Sequence, residues 1–256
     1  MAGVDEAGRG SLAGPLLAAG VLIDLERIGR SERRALARLD DSKQKSLEER
    51  EALYPHVIRA AVRVSVAVRS PRAIDRNGLH VSNLAALADC MDAVAQDDAT
   101  RLVDGFRLPG CELEHTPVVD GDARSAAIAA ASVIAKVTRD RYMRRAAEIH
   151  TDWGFSENVG YSTPEHREAI IANGICPLHR RSFASIAYSQ LGLLGDPASP
   201  QPAGSSASRP GPAGEGSGVG DAKDTELERS ADVIDIREAV AAEADADDIE
   251  AIAGNA

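Results

Sequence analysis

The hydrophobic positions of the chain fall into short runs near the N-terminus and into longer, helically spaced stretches further on. Residues 2–4 and 14–23 are apolar runs separated by a polar, glycine-rich turn, and they predict two buried strands. Residues 57–68 are rich in β-branched side chains and predict a third strand. Because short connections join neighbouring antiparallel strands, we expect these three strands to form an antiparallel meander.

Helix signals follow in four places. A capping box of Ser46 and Glu49 predicts a helix that reaches about residue 54, and Ser82 precedes a helix that ends near residue 94. A long helix begins near residue 124 with many alanines and continues into a basic second half, and Pro164 opens a further short helix.

Two more short strands are predicted between the second and the long helix, and they end on acidic residues. One strand ends at Asp104, and the other is followed by Asp120 and Asp122. Strands that are separated by helices favour parallel pairing, so the predicted fold class is α/β, a mixed β-sheet flanked by helices. The ends of strands are where such sheets bind ligands, which makes these acids candidate site residues.

The composition changes after residue 194. Residues 195–220 are dense in Pro, Gly, Ser and Ala and predict a disordered segment, while residues 225–252 suggest a loose amphipathic helix. We therefore expect one folded domain over 1–194 and a low-complexity acidic tail over 195–256. Of the chain's 40 acidic and 29 basic residues, 14 and 4 lie in this tail, so the folded part is close to neutral. Its overall charge does not argue against a polyanionic partner.

The three cysteines, Cys90, Cys111 and Cys176, are widely spaced and form no Cys-x-x-Cys pair. Neither a disulfide framework nor a zinc site is indicated, and a cytoplasmic location is predicted. No apolar run is long enough to span a bilayer, so we expect no membrane association, and we expect a monomer.

Asp5 and Glu6 end the first apolar run and are followed at once by Gly8, Arg9 and Gly10. Neighbouring strand residues point to opposite faces, so the two carboxylates cannot both enter one core. Glycine on each side of Arg9 allows turn conformations and a close approach of the backbone to a ligand. The combination suits a hard divalent cation beside a backbone that contacts a phosphate or sugar, and it also fits a charged turn after an edge strand.

A set of stretches in a fixed order resembles the type 2 ribonucleases H, the ribonuclease HII family. The resemblance covers roughly residues 1–187, leaves the tail outside, and implies a ribonuclease H-like fold. The stretches are Asp5-Glu6-Ala7-Gly8-Arg9-Gly10, Leu39-Asp40-Asp41-Ser42-Lys43, Val103-Asp104-Gly105, Gly121-Asp122, the run from Ile128 to Asp140, the run from Gly160 to His166, and His179-Arg180-Arg181-Ser182-Phe183.

The resemblance implies an endoribonuclease that hydrolyses the RNA strand of RNA–DNA hybrids and nicks duplex DNA on the 5′ side of single ribonucleotides. Products would carry 3′-hydroxyl and 5′-phosphate ends, and the cofactor would be Mg²⁺ or Mn²⁺. The implied metal ligands are Asp5, Glu6, Asp104 and Asp122. Four converging carboxylates repel one another unless cations lie between them, and two such cations support an in-line displacement.

The resemblance also implies substrate contacts. Backbone groups of Gly8, Arg9 and Gly10 would contact the 2′-hydroxyl together with the hydroxyl of Tyr161, whose ring would pack against the following deoxyribose. The phosphate-contact candidates are Ser42, Lys43, Lys136, Arg180 and Arg181. The arginines of the long helix, Arg139, Arg141, Arg144 and Arg145, are equally well read as the exposed face of that helix.

Two departures from the family pattern leave alternatives open. Asp120 stands where the family usually has a lysine, and fewer residues than usual precede the strand that carries Asp5. A catalytically impaired hybrid-binding protein of the same fold is therefore the competing hypothesis, with a misassigned start at Met1 as one cause. A phosphohydrolase acting on small nucleotides would share the carboxylates but would leave Gly-Arg-Gly and Tyr161 unexplained.

The residues from Gln190 to Leu194 resemble a Gln-Leu-x-Leu-Phe peptide that docks on the bacterial sliding clamp. Their position between the domain and the tail would suit such a contact, and the alternative is the apolar end of a last helix packed on the sheet.

Overall fold

The computed structural model describes residues 1–39, 45–183 and 233–235. Its sheet has the strand order β5-β4-β1-β2-β3-β6. The strands are β1 (Ala2–Ala7), β2 (Leu16–Ile23), β3 (Ala61–Arg69), β4 (Arg101–Asp104), β5 (Thr116–Val118) and β6 (Val233–Asp235). The predictions made on Ser42, Lys43 and the segment from Gln190 to Leu194 lie outside the described residues.

The strand β1 is central and carries both types of pairing. It is antiparallel to β2, with Asp5 opposite Ala19, and parallel to β4, with Val4 opposite Val103. The strands β2 and β3 are antiparallel, and β4 and β5 are parallel. The predicted meander, the parallel additions and the mixed sheet are therefore confirmed. The strand that carries Asp5 and Glu6 has six residues and is paired on both sides.

Helices cover both faces of this sheet. They are α1 (Arg30–Leu36), α2 (Leu47–Ala60), α3 (Pro71–Asn77), α4 (Leu79–Val94), α5 (Gly121–Arg124), α6 (Ala126–Ile149), α7 (Phe155–Asn158) and α8 (Pro164–Asn173). Side chains of α1, α2 and α6 form the core on one face, and side chains of α4 form the core on the other. This two-faced cover is the helix–sheet–helix layering that the sequence predicts.

The alanine-rich start of α6 lies directly on β1. A Cβ atom at Gly3 would lie 2.4 Å from the carbonyl carbon of Ala127, so only glycine permits this separation. The buried alanines of α6, from Ala127 to Ala135, keep the rest of the contact equally close. Close packing of this kind fixes the height of α6 above Asp5, which lies on the same face of β1 as Gly3.

Some predicted boundaries are wrong. The helix α2 continues through residues 57–60, which the β-branched pattern assigned to a strand, because Leu53, Tyr54, Val57 and Ala60 form one buried helical face. The helices α1 and α3 were not predicted, since each is a single short element of seven residues.

The tail contributes one described element. Residues 233–235, inside the segment for which the sequence suggests a helix, instead form β6, which pairs antiparallel with β3. The rest of 225–252 lies outside the described residues. The strand extends the sheet at the edge opposite to β4 and β5, on the far side of β1 from Asp104.

Candidate active site

The strand β1 directs Asp5 and Glu6 to opposite faces of the sheet. Asp5 is buried and receives a hydrogen bond from Ser132 of α6. Glu6 is half-buried, and its carboxylate lies 3.7 Å from the guanidinium of Arg9. The alternation of a strand therefore places the two carboxylates side by side in sequence but in different surroundings.

The carboxyl group of Asp5 is held in an unfavourable environment. Burial raises its pKa to about 7, the hydrogen bond from Ser132 opposes this rise, and the negative charges of Glu6 and Asp104 add to it. A nearby cation would reverse the effect, because it favours the ionised form. Asp5, Glu6 and Asp104 thus form one electrostatically coupled group, which we call the acid cluster.

Asp104 lies at the end of β4, and its Oδ1 accepts a hydrogen bond of 2.7 Å from the amide of Gly121. Asp122, the next residue, is buried in the first turn of α5. The residue lines a cleft of about 290 Å³ that also touches Leu36 of α1. Asp122 therefore directly follows the residue whose amide is bonded to Asp104, and it borders the neighbouring cleft.

Asp120 is exposed and adopts a left-handed backbone conformation, with φ 52°. Aspartate tolerates this region better than most residues because its short side chain can bond locally. The residue immediately precedes α5, two positions before Asp122. A fifth carboxylate close to the metal ligands therefore stays a prediction.

The chemistry of the acid cluster fits a divalent cation. Carboxylate oxygens are the ligands that Mg²⁺ and Mn²⁺ prefer, and a buried, mutually repelling set is costly without one. Within residues 1–39 and 45–183, however, no three Asp, Glu, His or Cys side chains converge closely enough to ligate one ion. The fold brings Asp5, Glu6 and Asp104 together, and it places Asp122 one residue after Gly121, whose amide bonds Asp104.

Residues 8–15, which we call the glycine loop, follow β1 directly. Gly8 has φ 82° and is buried, and Gly10 is exposed. The Arg9 guanidinium lies 5.7 Å from the centre of the Phe106 ring, which is 54% exposed. The loop therefore places a cation next to the acid cluster, and the segment after β4 adds an aromatic ring.

Tyr161 is 40% exposed, and its ring lies over the guanidinium of Arg139 at 5.1 Å. Its carbonyl accepts a hydrogen bond of 2.8 Å from Nδ1 of His166. Both groups hold the tyrosine from the protein side and leave part of it open to solvent. The structure therefore gives Tyr161 the exposure that a substrate contact requires.

A chain of hydrogen bonds fixes the protonation of two buried histidines. The Cys176 amide donates to Nδ1 of His179, so the proton of that ring is on Nε2. This Nε2 donates to Nε2 of His166 at 3.2 Å, and His166 in turn donates from Nδ1 to the Tyr161 carbonyl. Burial, followed by the proximity of His166, lowers the pKa of His179 to about 4, so the pair is neutral near pH 7.

The phosphate-contact candidates separate into three groups. Lys136 is half-buried on α6, and Arg181 is exposed, with its amide bonded to the Asp75 carboxylate at 2.9 Å. Arg180 is completely buried, and it donates to the carbonyls of Gly14 and Arg9 at 3.0 Å each. Arg180 is therefore bonded to the glycine loop from inside the protein, and its contact with phosphate stays a prediction. Ser42 and Lys43 lie outside the described residues.

Sequence reasoning missed several residues next to the site. Arg139, read as one of four surface arginines, is completely buried beneath the glycine loop. Its position on the same helical face as Ser132 and Met143, seven residues after one and four before the other, is the signal that could have identified it. Phe106 gives no comparable signal beyond its position two residues after Asp104.

The comparison with protein families decides the identity of this fold. The model described as Ribonuclease HII matches residues 2–186. The chain belongs to the ribonuclease HII family. Its curated relatives include the ribonucleases HII of Mycobacterium tuberculosis H37Rv, 44% identical over 73% of this chain and 69% of that protein, and of Rhodococcus opacus B4, 44% identical over 73% and 80%.

Solved structures agree with this ribonuclease HII assignment. The ribonuclease H2 of Pyrococcus horikoshii is 27% identical, with a TM-score of 0.61 over 75% of this chain and 98% of that chain. The ribonuclease HII in a PCNA complex from Archaeoglobus fulgidus is 26% identical, with a TM-score of 0.62 over 73% and 95%. This chain is thus a ribonuclease H. No helix within the described residues has the length and apolar character needed to cross a membrane.

Proposed function

We propose that this ribonuclease HII cleaves the RNA strand of RNA–DNA hybrids and nicks duplex DNA on the 5′ side of single embedded ribonucleotides. The products carry 3′-hydroxyl and 5′-phosphate ends. Cutting at single ribonucleotides would give the enzyme a role in their removal from DNA. The cytoplasmic location and the monomeric state remain predictions from the sequence.

The observation that carries the proposal is the direct continuation of the acid cluster into the glycine loop. Asp5 and Glu6 lie on β1, and Gly8, Arg9 and Gly10 follow directly after the last residue of this strand. Glycine backbone at positions 8 and 10 therefore borders the carboxylates, and Gly10 leaves open space where a scissile phosphate and its ribose would lie together. A phosphohydrolase for small nucleotides needs the carboxylates but has no use for the loop and Tyr161.

We propose Asp5, Glu6, Asp104 and Asp122 as the residues that hold Mg²⁺ or Mn²⁺. The bound cation would supply an activated water and neutralise charge on the phosphate. The raised pKa of Asp5 and the oxygen-only donor set support this assignment. Because Mg²⁺ takes few protein carboxylates together with waters and substrate phosphates, Asp122 would complete the set with substrate in place.

The glycine loop and Tyr161 are proposed as the substrate readers. Backbone groups of Gly8, Arg9 and Gly10 would contact the 2′-hydroxyl, which distinguishes RNA from DNA, and Tyr161 would contact the same group and the next deoxyribose. Lys136 and Arg181 remain proposed phosphate contacts, since neither side chain is completely buried.

Cleavage of a labelled DNA duplex with one ribonucleotide tests the proposal. The full chain is assayed with Mg²⁺, Mn²⁺ or EDTA, beside an all-DNA duplex and a continuous hybrid. We expect metal-dependent nicking 5′ of the ribonucleotide that Asp5→Asn abolishes. The matched change Asp98→Asn, in the exposed loop before β4, should leave nicking intact. Cleavage of free nucleotides but of neither duplex would contradict the proposal.

The competing hypothesis of an impaired binding protein loses one of its two grounds. The strand β1 has six residues and two paired neighbours, so it is not short for a central strand. Asp120 remains as the other ground. Binding of the hybrid without cleavage, together with restored cleavage in Asp120→Lys, would favour this hypothesis.

We also propose that the segment from Gln190 to Leu194 binds a sliding clamp. One similar structure is a PCNA complex of ribonuclease HII, which supports a clamp as a partner of such enzymes. A peptide of residues 185–200 should bind the bacterial clamp, and replacing Leu191 and Leu194 by alanine should abolish binding. Absence of binding at high micromolar concentration would contradict this proposal.

A further inference from the structure

Arg139 lies in the basic half of α6, yet its side chain is completely buried. Its Nε donates to the Pro15 carbonyl at 3.0 Å, and its Nη1 donates to the Val159 carbonyl at 2.9 Å. Its Nη2 donates to the Ser11 hydroxyl at 2.7 Å and to the Ala13 carbonyl at 3.1 Å. One guanidinium therefore joins the glycine loop to the segment that precedes Tyr161.

The two segments also bond each other above the guanidinium. The Leu12 amide donates to the Gly160 carbonyl at 2.8 Å. The Ser11 hydroxyl, which accepts from Arg139, donates to the Gly8 carbonyl at 2.9 Å. A Cβ atom at Gly8 would lie 2.0 Å from Nε of Arg139, so the first residue of the loop rests directly on this side chain.

The guanidinium of Arg139 also supports the ring of Tyr161. The ring of Tyr161 lies over it at 5.1 Å, a distance at which a cation attracts the face of an aromatic ring. Arg139 thus contacts both parts of the proposed substrate reader, the backbone loop and the tyrosine. A rigid planar fork can hold both at one separation, which a flexible ammonium cannot do.

The charge of Arg139 is buried without an ion pair. In the part of the chain that the structure describes, its hydrogen bonds go to carbonyl and hydroxyl oxygens, and no carboxylate lies within ion-pair distance. A buried charge costs more than a well-packed apolar side chain of similar size. Core filling alone therefore gives no reason for an arginine here, and joining several oxygens does.

We propose that Arg139 is a positioning residue that sets the junction specificity of the enzyme. It fixes the distance between the glycine loop, which reads the ribose, and the Tyr161 ring, which packs on the following deoxyribose. This inference rests on the proposed function. A single ribonucleotide followed by DNA uses both contacts, and the interior of a continuous RNA strand uses the loop without the deoxyribose contact. Loss of Arg139 therefore lowers junction cleavage more than hybrid cleavage.

The test compares kcat/KM on a duplex with one ribonucleotide with kcat/KM on a continuous RNA–DNA hybrid. The full chain is assayed as Arg139→Lys, which keeps the charge but loses the fork, and as Ser11→Ala, which removes one link of the network. We expect the ratio of junction to hybrid cleavage to fall about tenfold in Arg139→Lys and less in Ser11→Ala. The control Arg141→Lys, which lies on the same helix and pairs with Glu51, should leave the ratio unchanged.

The ratio is independent of the fraction of folded enzyme, so a merely structural role of Arg139 does not move it. An equal fall of both activities with an unchanged ratio would overturn this inference and leave the proposed function standing. Where Arg139→Lys does not fold, the ratio in Ser11→Ala decides. Failure of the unaltered chain to cut the ribonucleotide duplex would overturn the proposed function and the inference together.

Discussion

The acid cluster and the glycine loop border each other, but the fold supports them in opposite ways. Asp5 is buried among like charges, and its pKa is raised to about 7. The loop and Tyr161, by contrast, rest on satisfied hydrogen bonds from Arg139 and on a neutral histidine pair. One half of the site is thus held in an unfavourable environment, and the other is fixed in advance. This division separates the proposed metal-binding residues from the proposed substrate contacts, and each half has its own experimental signature.

The largest expected effect concerns Asp5→Asn in the cleavage assay. Removing one proposed charged ligand should lower kcat by about a thousandfold or more, because cation-assisted stabilisation of the transition state amounts to several kcal/mol. The loss should persist at saturating substrate, since the glycine loop and Tyr161 are unchanged. Comparable kcat in Asp5→Asn and the unaltered chain would remove Asp5 from the catalytic group.

Asp5 should also make the free energy of unfolding of the metal-free protein fall as pH rises. The pKa of Asp5 rises from 3.8 to about 7 on folding, so the native state binds more protons between these values. Its contribution to the free energy of unfolding is present below pH 3.8 and is lost as pH rises through 7. The loss is on the order of 4 kcal/mol.

Urea unfolding in EDTA from pH 4 to pH 8 measures this contribution. The difference in free energy of unfolding between Asp5→Asn and the unaltered chain should grow with pH in favour of the variant. Saturating Mg²⁺ should reduce the difference at pH 8, because a bound cation favours the ionised carboxylate. A difference that is constant across pH would contradict the environment described for Asp5.

The histidine pair should have the opposite effect, so that its contribution to the free energy of unfolding rises with pH. The pKa of His179 falls from 6.5 to about 4 on folding, so the unfolded state binds more protons between these values. Its contribution is present above pH 6.5 and is lost as pH falls through 4, by about 3 kcal/mol. Replacing His179 by Asn should remove this part of the slope.

The smallest effect expected here is on the loop itself. Gly8→Ala should lower the free energy of unfolding by about 2 kcal/mol, from the left-handed φ and the overlap with Arg139. At Gly10 an added Cβ meets no atom within 4 Å, so Gly10→Ala should be nearly neutral for stability. Equal urea midpoints for the two variants would show that the loop does not rest on Arg139.

Much of the acid cluster could be predicted from the sequence. The alternation of side chains along a strand and the adjacency of Asp5 and Glu6 are local properties of the chain. The period of two separates Asp5 from Glu6, and the parallel addition of β4 brings Asp104 beside them. The support of the glycine loop and Tyr161, by contrast, depends on tertiary contacts. Arg139 carries a charge that predicts exposure, and the packing of the glycine loop and of Val159 on α6 buries it.

Arg180 is a second charged residue whose burial the sequence does not predict. Its segment has no regular structure. The residue is placed by the isolated bridge between Ala13 and His179 and by the hydrogen bond that its backbone amide donates to the Leu12 carbonyl. No periodic pattern in the sequence encodes such a contact. The end of α2 was misassigned for a different reason, since β-branched residues at 57 and 58 outweighed the helical spacing of the buried face.

The hydrogen bond from Arg139 to Ser11 spans 128 residues, and that from Arg180 to Arg9 spans 171. Contacts of such long range are completed late in folding, because the intervening loops must first be closed. A ribosome synthesises the carboxylates of β1 well before α6, and Arg180 only after nearly all of the described domain. We therefore expect nascent chains that end before α6 to contain Asp5 and Glu6 without an ordered sugar-reading loop.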